Sequence, residues 1–316
     1  MDTLAPPLPA SRAVLPLPTG RAILPPPDPS TRHVPTRRLW RRILVSLFAA
    51  GAIVAGIALG YEPIGALVGL FLILRPIEKL WPRHRTPLRR LGLRTDITHL
   101  LLTPVTQIAG IIVGVAIGVA SFAWLPGLAL RPFVTALPFW AQAGLGFLLL
   151  DLTVYWIHRM SHEVPFFWRF HAVHHSAIHL DWISGVRAHP FDGVFGAPAI
   201  AFLLGAGVSL EITGALAVLQ VVTGLWAHLN VRWRLRPLHR VVLTPDFHHW
   251  HHANERDAIN TNYAGLLPIW DQLFGTYFMP PDRTPSSYGI DEPMPLGVWG
   301  QLRQPFRRRP DATMAG

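Results

Sequence analysis

Residues 158–175 read HRMSHEVPFFWRFHAVHH and contain five histidines in two spaced sets. His158 and His162 lie four residues apart, and the second set begins at His171. In an α-helix, residues three or four apart share a face, so each set can present two or three imidazole nitrogens to one point. Imidazole is the commonest metal ligand among side chains. The stretch therefore predicts a pair of metal-binding helices.

A third histidine cluster, HHWHH, occupies residues 248–252. The three clusters offer about eight ligands, whereas one ion rarely takes more than about six. Thirteen of the sixteen histidines lie between His158 and His252. A surface run or a set of satisfied core residues would explain any one histidine, but not three spaced clusters. We therefore expect a site for two metal ions.

The composition is typical of a membrane protein. Of 316 residues, 50% are hydrophobic and 15% charged, and the mean hydropathy is +0.31. The net charge is +10, and Lys79 is the only lysine. Because the arginines flank apolar segments and form no single stripe, they indicate membrane topology and not nucleic-acid binding. The absence of cysteine excludes thiolate metal sites and cysteine nucleophiles.

Changes in composition divide the chain into four regions. We expect a disordered proline-rich tail over 1–38, membrane segments with a basic interfacial loop over 39–136, a histidine-rich catalytic domain over 137–278, and a C-terminal tail over 279–316. The expected fold is an all-α membrane protein with about four to six membrane segments and a cytoplasmic helical cap that holds the metals. The apolar stretches are 43–60, 64–74, 97–125, 139–157 and 194–222, the last broken near Ser209 and Glu211.

Arginine asymmetry predicts the orientation of these segments. Residues 1–42 and 75–94 each carry seven basic side chains, the loop at 61–63 carries none, and the proline-containing loop expected at 125–138 carries only Arg131. Positive residues favour the cytoplasmic side. Counting crossings from there places all three histidine clusters and both termini in the cytoplasm, in an integral, multi-pass protein.

Two residues upstream of the first cluster are candidates for supporting roles. Asp151 and Tyr155 lie on the same predicted helical face as His158 and His162. A carboxylate behind a metal-bound imidazole would fix its tautomer and raise its basicity. Helix packing or capping is the alternative role for Asp151.

The order of the clusters resembles the sterol desaturase and fatty acid hydroxylase superfamily of integral membrane oxygenases. The shared pattern has three parts: H-x-x-x-H, then H-x-x-H-H, then T-P-x-x-H-x-x-H-H. In this chain the three parts begin at His158, His171 and Thr244. Further resemblance lies in NTNY at 260–263 and in WDQLFGT at 270–276, and the likeness covers roughly residues 140–278. Ala264 departs from the pattern, which places glycine there, and this puts a local turn in doubt.

The resemblance implies two iron ions, dioxygen as co-substrate, and electrons from a separate reductase or carrier. Zinc would bind the same ligands. A further ligand is expected before the last cluster, and His228 is the candidate; His189 and Asn262 are tentative supporting residues. No catalytic residue is expected beyond the ligands, and His179, His239 and His249 are expected to be non-ligands. The predicted ligands are His158, His162, His171, His174, His175, His228, His248, His251 and His252.

The expected function is oxygen-dependent hydroxylation, or desaturation, of a membrane lipid such as a sterol-like, fatty acyl or isoprenoid molecule. Hydroxylation is the first choice. An ether-lipid or carotenoid oxygenase of the same superfamily is the closest alternative. A membrane metal transporter is the alternative from another class, but transport sites tend to lie near the membrane midplane, whereas these clusters follow the ends of apolar segments.

Overall fold

The computed structural model describes residues 62–87 and 90–307. Within these ranges the regular structure is helical, and β-pairing is limited to two isolated bridges. The predicted tail over 1–38 and the apolar stretch over 43–60 lie outside the described residues. The α-helices are α1 (Glu62–Leu80), α2 (Leu93–Ala120), α3 (Trp124–Thr135), α4 (Phe139–Glu163), α5 (Pro165–His175), α6 (Ala197–Gly205), α7 (Leu210–Ala227), α8 (Pro245–His251), α9 (Ile269–Phe274) and α10 (Val298–Arg303).

Two of the described helices, α4 and α7, are long and apolar enough to cross a membrane. The end of α2 and the whole of α3 pass the same test together, although they are bent by 88° relative to one another, as in a broken span or a re-entrant loop. The described residues therefore contain two candidate spans, or three if the bent pair is one. The all-helical prediction is confirmed, while the cytoplasmic cap and the total number of segments stay predictions.

The segment at 125–138, predicted as a loop, is mostly helical, so that prediction was wrong. The chain turns after α2 at residues 121–123, where Phe122 adopts a positive φ of 54°, and then forms α3. Close packing against α6 explains the helix. A Cβ on Gly127 of α3 would lie 2.6 Å from the Phe202 carbonyl oxygen, and a Cβ on Gly205 of α6 would lie 2.5 Å from that of Trp124. The two glycines let α3 and α6 approach closely, which the sequence pattern of either segment alone does not reveal.

The apolar stretch over 194–222 breaks where the sequence predicts. Helix α6 ends at Gly205, and α7 begins after Ser209, whose hydroxyl accepts a hydrogen bond from the Ile212 amide at 3.2 Å. A serine cap of this kind satisfies a main-chain donor that the first helical turn leaves free. Helices α6 and α7 pack on α4 and, with α3, form an apolar core. Its buried members are Val134, Leu150, Leu203, Ala206, Val208 and Ile212.

The C-terminal segment packs against the membrane helices. The Gln301 side chain of α10 is buried, lies 2.9 Å from His99 Nε2 of α2, and donates to the Pro295 carbonyl at 2.9 Å. Leu302 faces the interior, whereas Trp299 is 67% exposed. Residues 298–306 therefore close one side of the helical assembly and contribute to the cavity described below.

Candidate metal centre

Three helices bring the histidine clusters together. Helix α4 carries the first cluster at its C-terminal end, and α5 begins directly afterwards with Pro165 in its first turn, where proline needs no hydrogen-bond donor. Helix α8 carries the third cluster. It also begins with a proline, and the preceding Thr244 hydroxyl accepts from the Phe247 amide at 3.2 Å. The T-P dipeptide is thus a helix start that fixes the register of α8.

All nine histidines predicted as ligands fall into two groups, each of which could hold a metal ion. Within each group the ligand atoms lie within 4.8 Å of one another, and every side chain is buried or half-buried. The five-histidine group consists of His158, His162, His171, His175 and His251; the four-histidine group consists of His174, His228, His248 and His252.

Helical spacing explains how the histidines divide. His171 and His175 of α5 lie four residues apart and point into the five-histidine group, while His174 between them points into the other. In the third cluster, His248 and His252 share the four-histidine group, while His251 crosses to the five-histidine group. Because four residues make about one helical turn, i and i+4 face the same way and the residue between them diverges. Helices α5 and α8 therefore serve both groups.

The four-histidine group converges through its Nε2 atoms. His228 Nε2 lies 3.2 Å from that of His174, 3.1 Å from that of His252 and 3.2 Å from that of His248. His174 and His228 donate their Nδ1 protons to main-chain carbonyls, of Arg187 at 2.9 Å and of Gly224 at 2.7 Å. Their Nε2 atoms therefore present lone pairs that face one another. A cation between these lone pairs would relieve their repulsion.

The five-histidine group shows the same pattern. The Nε2 atoms of His175 and His251 lie 3.1 Å apart, and those of His162 and His171 are buried without a hydrogen-bond partner. Buried polar atoms without a partner are costly and rare in folded proteins. Unpartnered nitrogens aimed into a cluster of imidazoles fit coordination to a metal ion.

Acceptors behind the imidazoles fix their orientation. In the five-histidine group, His158 donates from Nδ1 to the Tyr263 carbonyl at 2.8 Å, and His251 donates to the Thr261 carbonyl at 2.9 Å. His171 differs, because its Nδ1 lies 2.9 Å and 3.1 Å from the two carboxylate oxygens of Asp192. These hydrogen bonds select the tautomer whose Nε2 is free to coordinate.

Burial keeps the imidazoles neutral. Burial lowers the pKa of His175, His251 and His252 well below its usual range, and neighbouring imidazoles lower it further. Burial also lowers the pKa of His228, to about 4. A neutral imidazole has the lone pair that a metal requires, so the site is preset for metal binding at neutral pH.

A buried ion-pair network supports the four-histidine group. Arg90 donates to both carboxylate oxygens of Asp181, at 2.7 and 2.9 Å, and to Asp96 at 2.6 Å. Arg187 also binds Asp96, through Nε at 2.8 Å and through a second guanidinium nitrogen. The carbonyl of this same Arg187 accepts the Nδ1 proton of His174. The sequence gives no sign of this network, because Arg90 and Asp96 each lie 91 residues from their partners Asp181 and Arg187.

Asp151 does not support an imidazole, contrary to the sequence-based expectation. Its carboxylate accepts from the Leu267 amide at 3.1 Å and from the Trp270 indole at 2.9 Å, and so ties α4 to the start of α9. The side chain shares a helical face with His158, but it lies about two turns away and meets the segment leading into α9 first. Its role is packing, which was the alternative expectation.

Tyr155 makes a hydrogen bond to Thr276 and is linked to the ligands through further residues. Its hydroxyl is 3.0 Å from the Thr276 hydroxyl, which donates to Asp271 at 2.7 Å. Asp271 accepts from the amides of Tyr263 and Ala264, and the Tyr263 carbonyl accepts from His158. Tyr155 therefore acts on the ligands only indirectly, through this chain and through an edge contact with the Tyr263 ring. Burial raises the pKa of Asp271 to about 6.

Asn262 and His189 stabilise loops and make no hydrogen bond to a ligand side chain. Asn262 has a positive φ of 59°, and its amide group bonds the carbonyls of Phe247 and Phe278 and the Phe278 amide. His189 donates to the Leu302 carbonyl at 3.1 Å and accepts from the Phe191 amide at 3.1 Å. Ala264 needs no glycine, because it is not among the residues with positive φ.

The three histidines expected to be non-ligands lie outside both groups. His249 shares α8 with the predicted ligands His248 and His251, but its Nδ1 lies 2.7 Å from the Tyr288 hydroxyl and its Nε2 donates to the Leu229 carbonyl at 3.0 Å. His239 lies 3.6 Å from Asp246. With both nitrogens satisfied, His249 is a matched control for its neighbours.

A large apolar cavity leads to the two groups. Its volume is about 1220 Å³, above the roughly 300–1,000 Å³ of ordinary small-molecule sites. His158, His171 and His174 line its inner end, and the exposed side chains of Val218 and Val221 on α7 line another part. The cavity therefore extends from a candidate membrane span to the histidine groups.

Comparison with known proteins agrees with this geometry. The fatty acid hydroxylase family model matches residues 143–276. An ornithine lipid hydroxylase of Rhizobium tropici is 34% identical over 255 residues, which cover 77% of this chain and 73% of that protein. No solved structure gives a significant match.

Shorter matches extend to other lipid enzymes. Alkylglycerol monooxygenase of Homo sapiens is 31% identical over 159 residues, covering 49% of this chain and 34% of that protein. A very-long-chain aldehyde decarbonylase of Oryza sativa subsp. indica is 29% identical over 159 residues, covering 44% of this chain and 25% of that protein. From the likeness over most of both chains and the shared domain, the chain belongs to the fatty acid hydroxylase family of the sterol desaturase and fatty acid hydroxylase superfamily, whose members include lipid hydroxylases and monooxygenases.

Proposed function

We propose that this protein is an oxygen-dependent hydroxylase of a membrane lipid, with one iron ion in each histidine group. The observation that carries the proposal is the convergence of two all-imidazole groups at the inner end of an apolar cavity. A metal site for storage or transport does not require a cavity of this size lined by apolar side chains. A lipid-oxidising site requires both the metal ligands and an apolar cavity beside them.

The donor set fits iron. Imidazole nitrogen suits iron, zinc and copper, and neither group includes a thiolate or a carboxylate ligand. Zinc can occupy the same ligands during purification, so the metal found in a sample does not by itself identify the working one. When bound, the iron pair would supply dioxygen activation, for which the protein provides geometry and a dry environment.

The chain's own residues position the ligands and the substrate. The carbonyl acceptors of Tyr263, Thr261 and Arg187 hold the Nδ1 protons of three ligands, which keeps the Nε2 lone pairs directed inward. The apolar cavity wall excludes water and aligns a hydrocarbon chain. Exclusion of water protects a strongly oxidising centre from side reactions.

Ornithine lipid is the first substrate candidate. The relative matched over most of both chains is described as an ornithine lipid hydroxylase, and the present cavity admits a lipid tail. An alkylglycerol ether lipid is the second candidate, supported by the match to alkylglycerol monooxygenase over about half of this chain. Hydroxylation is preferred over desaturation because both of these relatives are named for oxygen insertion.

The domain boundaries, the membrane orientation and the source of electrons are also part of the proposal. Residues 137–278 form the hydroxylase-like catalytic domain, preceded by the membrane segments over 39–136 and followed by a tail over 279–316. The histidine groups and both termini face the cytoplasm, where a separate reductase or carrier delivers electrons. Arginine asymmetry supports this orientation.

Isotope labelling tests the reaction. Purified protein is loaded with ferrous iron, supplied with ornithine lipid or an alkylglycerol and a chemical reductant, and incubated under ¹⁸O₂. We expect a product that is heavier by one labelled oxygen atom. A product that has lost two hydrogens and carries no label would indicate desaturation. Turnover that persists without oxygen, or an oxygen-containing product that carries no label under ¹⁸O₂, would contradict the oxygenase assignment.

A further inference from the structure

Asp192 differs from the other buried carboxylates near the site. Asp96, Asp181 and Asp246 are each paired with an arginine, and Asp151 and Asp271 accept hydrogen bonds from neutral amide, indole and hydroxyl donors. Asp192 has no arginine or lysine partner within the described residues, and its ion-pair contact is with His171 at 2.9 Å. Its side chain is only 14% exposed. A largely buried negative charge without a cationic side chain is unfavourable unless other positive charge lies nearby.

The backbone around Asp192 orients its carboxylate. The Asp192 amide donates to the His189 carbonyl at 2.9 Å, which closes a turn through Pro190. His189 is itself held by the Leu302 carbonyl and the Phe191 amide. Asp192 directly precedes the 3₁₀ turn Gly193–Gly196, but its side chain makes no capping hydrogen bond there. The carboxylate is therefore available to His171, to which both of its oxygens lie close.

The acceptor used by His171 is unlike those of the other predicted ligands. Four of them, His158, His174, His228 and His251, donate from Nδ1 to neutral main-chain carbonyls. Only His171, among the described hydrogen bonds of these nine side chains, faces a carboxylate. An anionic acceptor strengthens the hydrogen bond and makes the imidazole a better electron donor at Nε2. That Nε2 is buried without a hydrogen-bond partner in the five-histidine group.

We propose that Asp192 is a positioning carboxylate that strengthens metal binding by the five-histidine group through His171, and thereby makes the two metal sites unequal. The inference rests on the proposed function only in requiring that both groups bind metal. The carboxylate does not contact the metal. It supplies through one imidazole a negative charge that the four-histidine group lacks, where the Nδ1 atoms of His174 and His228 face neutral carbonyls.

Metal titration of Asp192→Asn tests this inference. The asparagine keeps the size of the side chain and an oxygen that can accept the Nδ1 proton, and it removes the charge. Metal-free protein is titrated with Co²⁺ against a competing chelator, and the visible spectrum reports each bound equivalent. We expect the affinity for one of the two bound Co²⁺ ions to fall by about 10–100-fold, and the affinity for the other to stay unchanged. Asp192→Glu should recover part of the loss, and Asp257→Asn, at an exposed carboxylate, should have no effect.

Substitution of a ligand identifies the affected equivalent. His171→Ala should weaken the same Co²⁺ equivalent as Asp192→Asn, whereas His228→Ala should weaken the other. Unchanged affinities in Asp192→Asn would overturn the inference, as would equal weakening of both equivalents or a loss only in the site weakened by His228→Ala. A wild-type protein that binds no Co²⁺ would instead contradict the proposed function. A lower thermal midpoint with unchanged affinities would indicate a purely structural role.

Discussion

The five-histidine and four-histidine groups use the same side chain in different surroundings. The five-histidine group draws on all three sequence clusters, contacts the ring of Tyr263 and has the Asp192 carboxylate behind one ligand. In the four-histidine group, the Nδ1 atoms of His174 and His228 donate to main-chain carbonyls. One of these carbonyls belongs to Arg187, whose side chain is part of the arginine network. His158 and His171 of the five-histidine group line the cavity, whereas the four-histidine group contributes only His174. The difference indicates that surroundings, and not ligand type, distinguish the two metal sites.

The largest effect is expected from removing one ligand in each group. His251→Ala and His248→Ala should each lose about one of two metal equivalents and reduce turnover by more than about 100-fold, since even supporting residues cost 10–100-fold. His249→Ala is the matched control on the same helix, because its nitrogens bond Tyr288 and Leu229. It should keep both equivalents. Metal analysis by mass spectrometry measures the stoichiometry, and retention of both equivalents in His251→Ala would remove that histidine from the ligand set.

A second, smaller effect is expected from narrowing the cavity without touching either group. Val221 is 65% exposed on α7 and lines the cavity, whereas the exposed Ala215 on the same helix does not. Val221→Trp should lower lipid turnover by about tenfold with both metals retained, because an indole would obstruct the passage of a chain. Ala215→Trp should leave turnover unchanged. Equal rates for the two variants would show that substrate does not use this part of the cavity.

The arginine network provides a test of stability. Asp96 lies between Arg90 and Arg187, and all three side chains are buried. Asp96→Asn should destabilise the protein by about 3–5 kcal/mol, because breaking a buried pair leaves charges uncompensated. It should also weaken metal binding in the four-histidine group, which the Arg187 carbonyl supports. Thermal denaturation in detergent measures the first effect and Co²⁺ titration the second; a weakened five-histidine group instead would contradict the proposed coupling.

The smallest effect is a dependence of metal-free stability on pH. Burial holds the pKa of His228 at about 4 and that of His175 and His252 well below 6.5, the ordinary value, which the unfolded chain regains. The unfolded chain therefore binds more protons as pH falls below about 6.5. Stability is fully present above that pH and is lost towards pH 4, by roughly 1.4 kcal/mol per pH unit for each such imidazole.

The measurement is the thermal midpoint of metal-free protein between pH 8 and pH 5. We expect it to decrease steadily below about pH 6.5. The thermal midpoint of metal-loaded protein should begin to decrease only at a lower pH, because bound metal competes with protons for the same nitrogens. Equal curves for the metal-free and metal-loaded forms would argue against metal binding by the buried imidazoles.

The histidines that form the site could be identified from the sequence because their chemistry lies in side chains at helical spacing. Every predicted ligand lies in one of the two groups, including His228, which stands 20 residues before His248. The division within each cluster was not predicted, because residues three apart were expected to share a face, whereas His174 lies in the other group from His171 and His175. The sequence alone does not show which sets from different helices combine, because that depends on how α4, α5, α7 and α8 pack.

The supporting residues could not be found in the same way. Carbonyls of Tyr263, Thr261 and Arg187 hold the ligands, and a main-chain acceptor carries no signal in residue type. Asp192 lies 21 residues from His171, too far for a local spacing rule. Asp151 was chosen by helical face, which identifies neighbours on one helix but not the partners that other elements supply.

The fold was predictable in class and less so in detail. Apolar stretches with breaks predict helices, and Ser209 marks the start of α7 correctly. The proline-containing stretch over 125–138 was expected to form a loop, yet α3 forms there because Gly127 and Gly205 permit close packing on α6. Such a contact depends on tertiary structure, which a single segment does not encode.

Anomalous diffraction at the iron K-edge tests the central claim most directly. Crystals of iron-loaded protein should give two peaks, one surrounded by the Nε2 atoms of the five-histidine group and the other by those of the four-histidine group. Data collected at the zinc edge from the same crystals control for metal exchange. One peak, or peaks away from both groups, would contradict the assignment of one metal ion to each group.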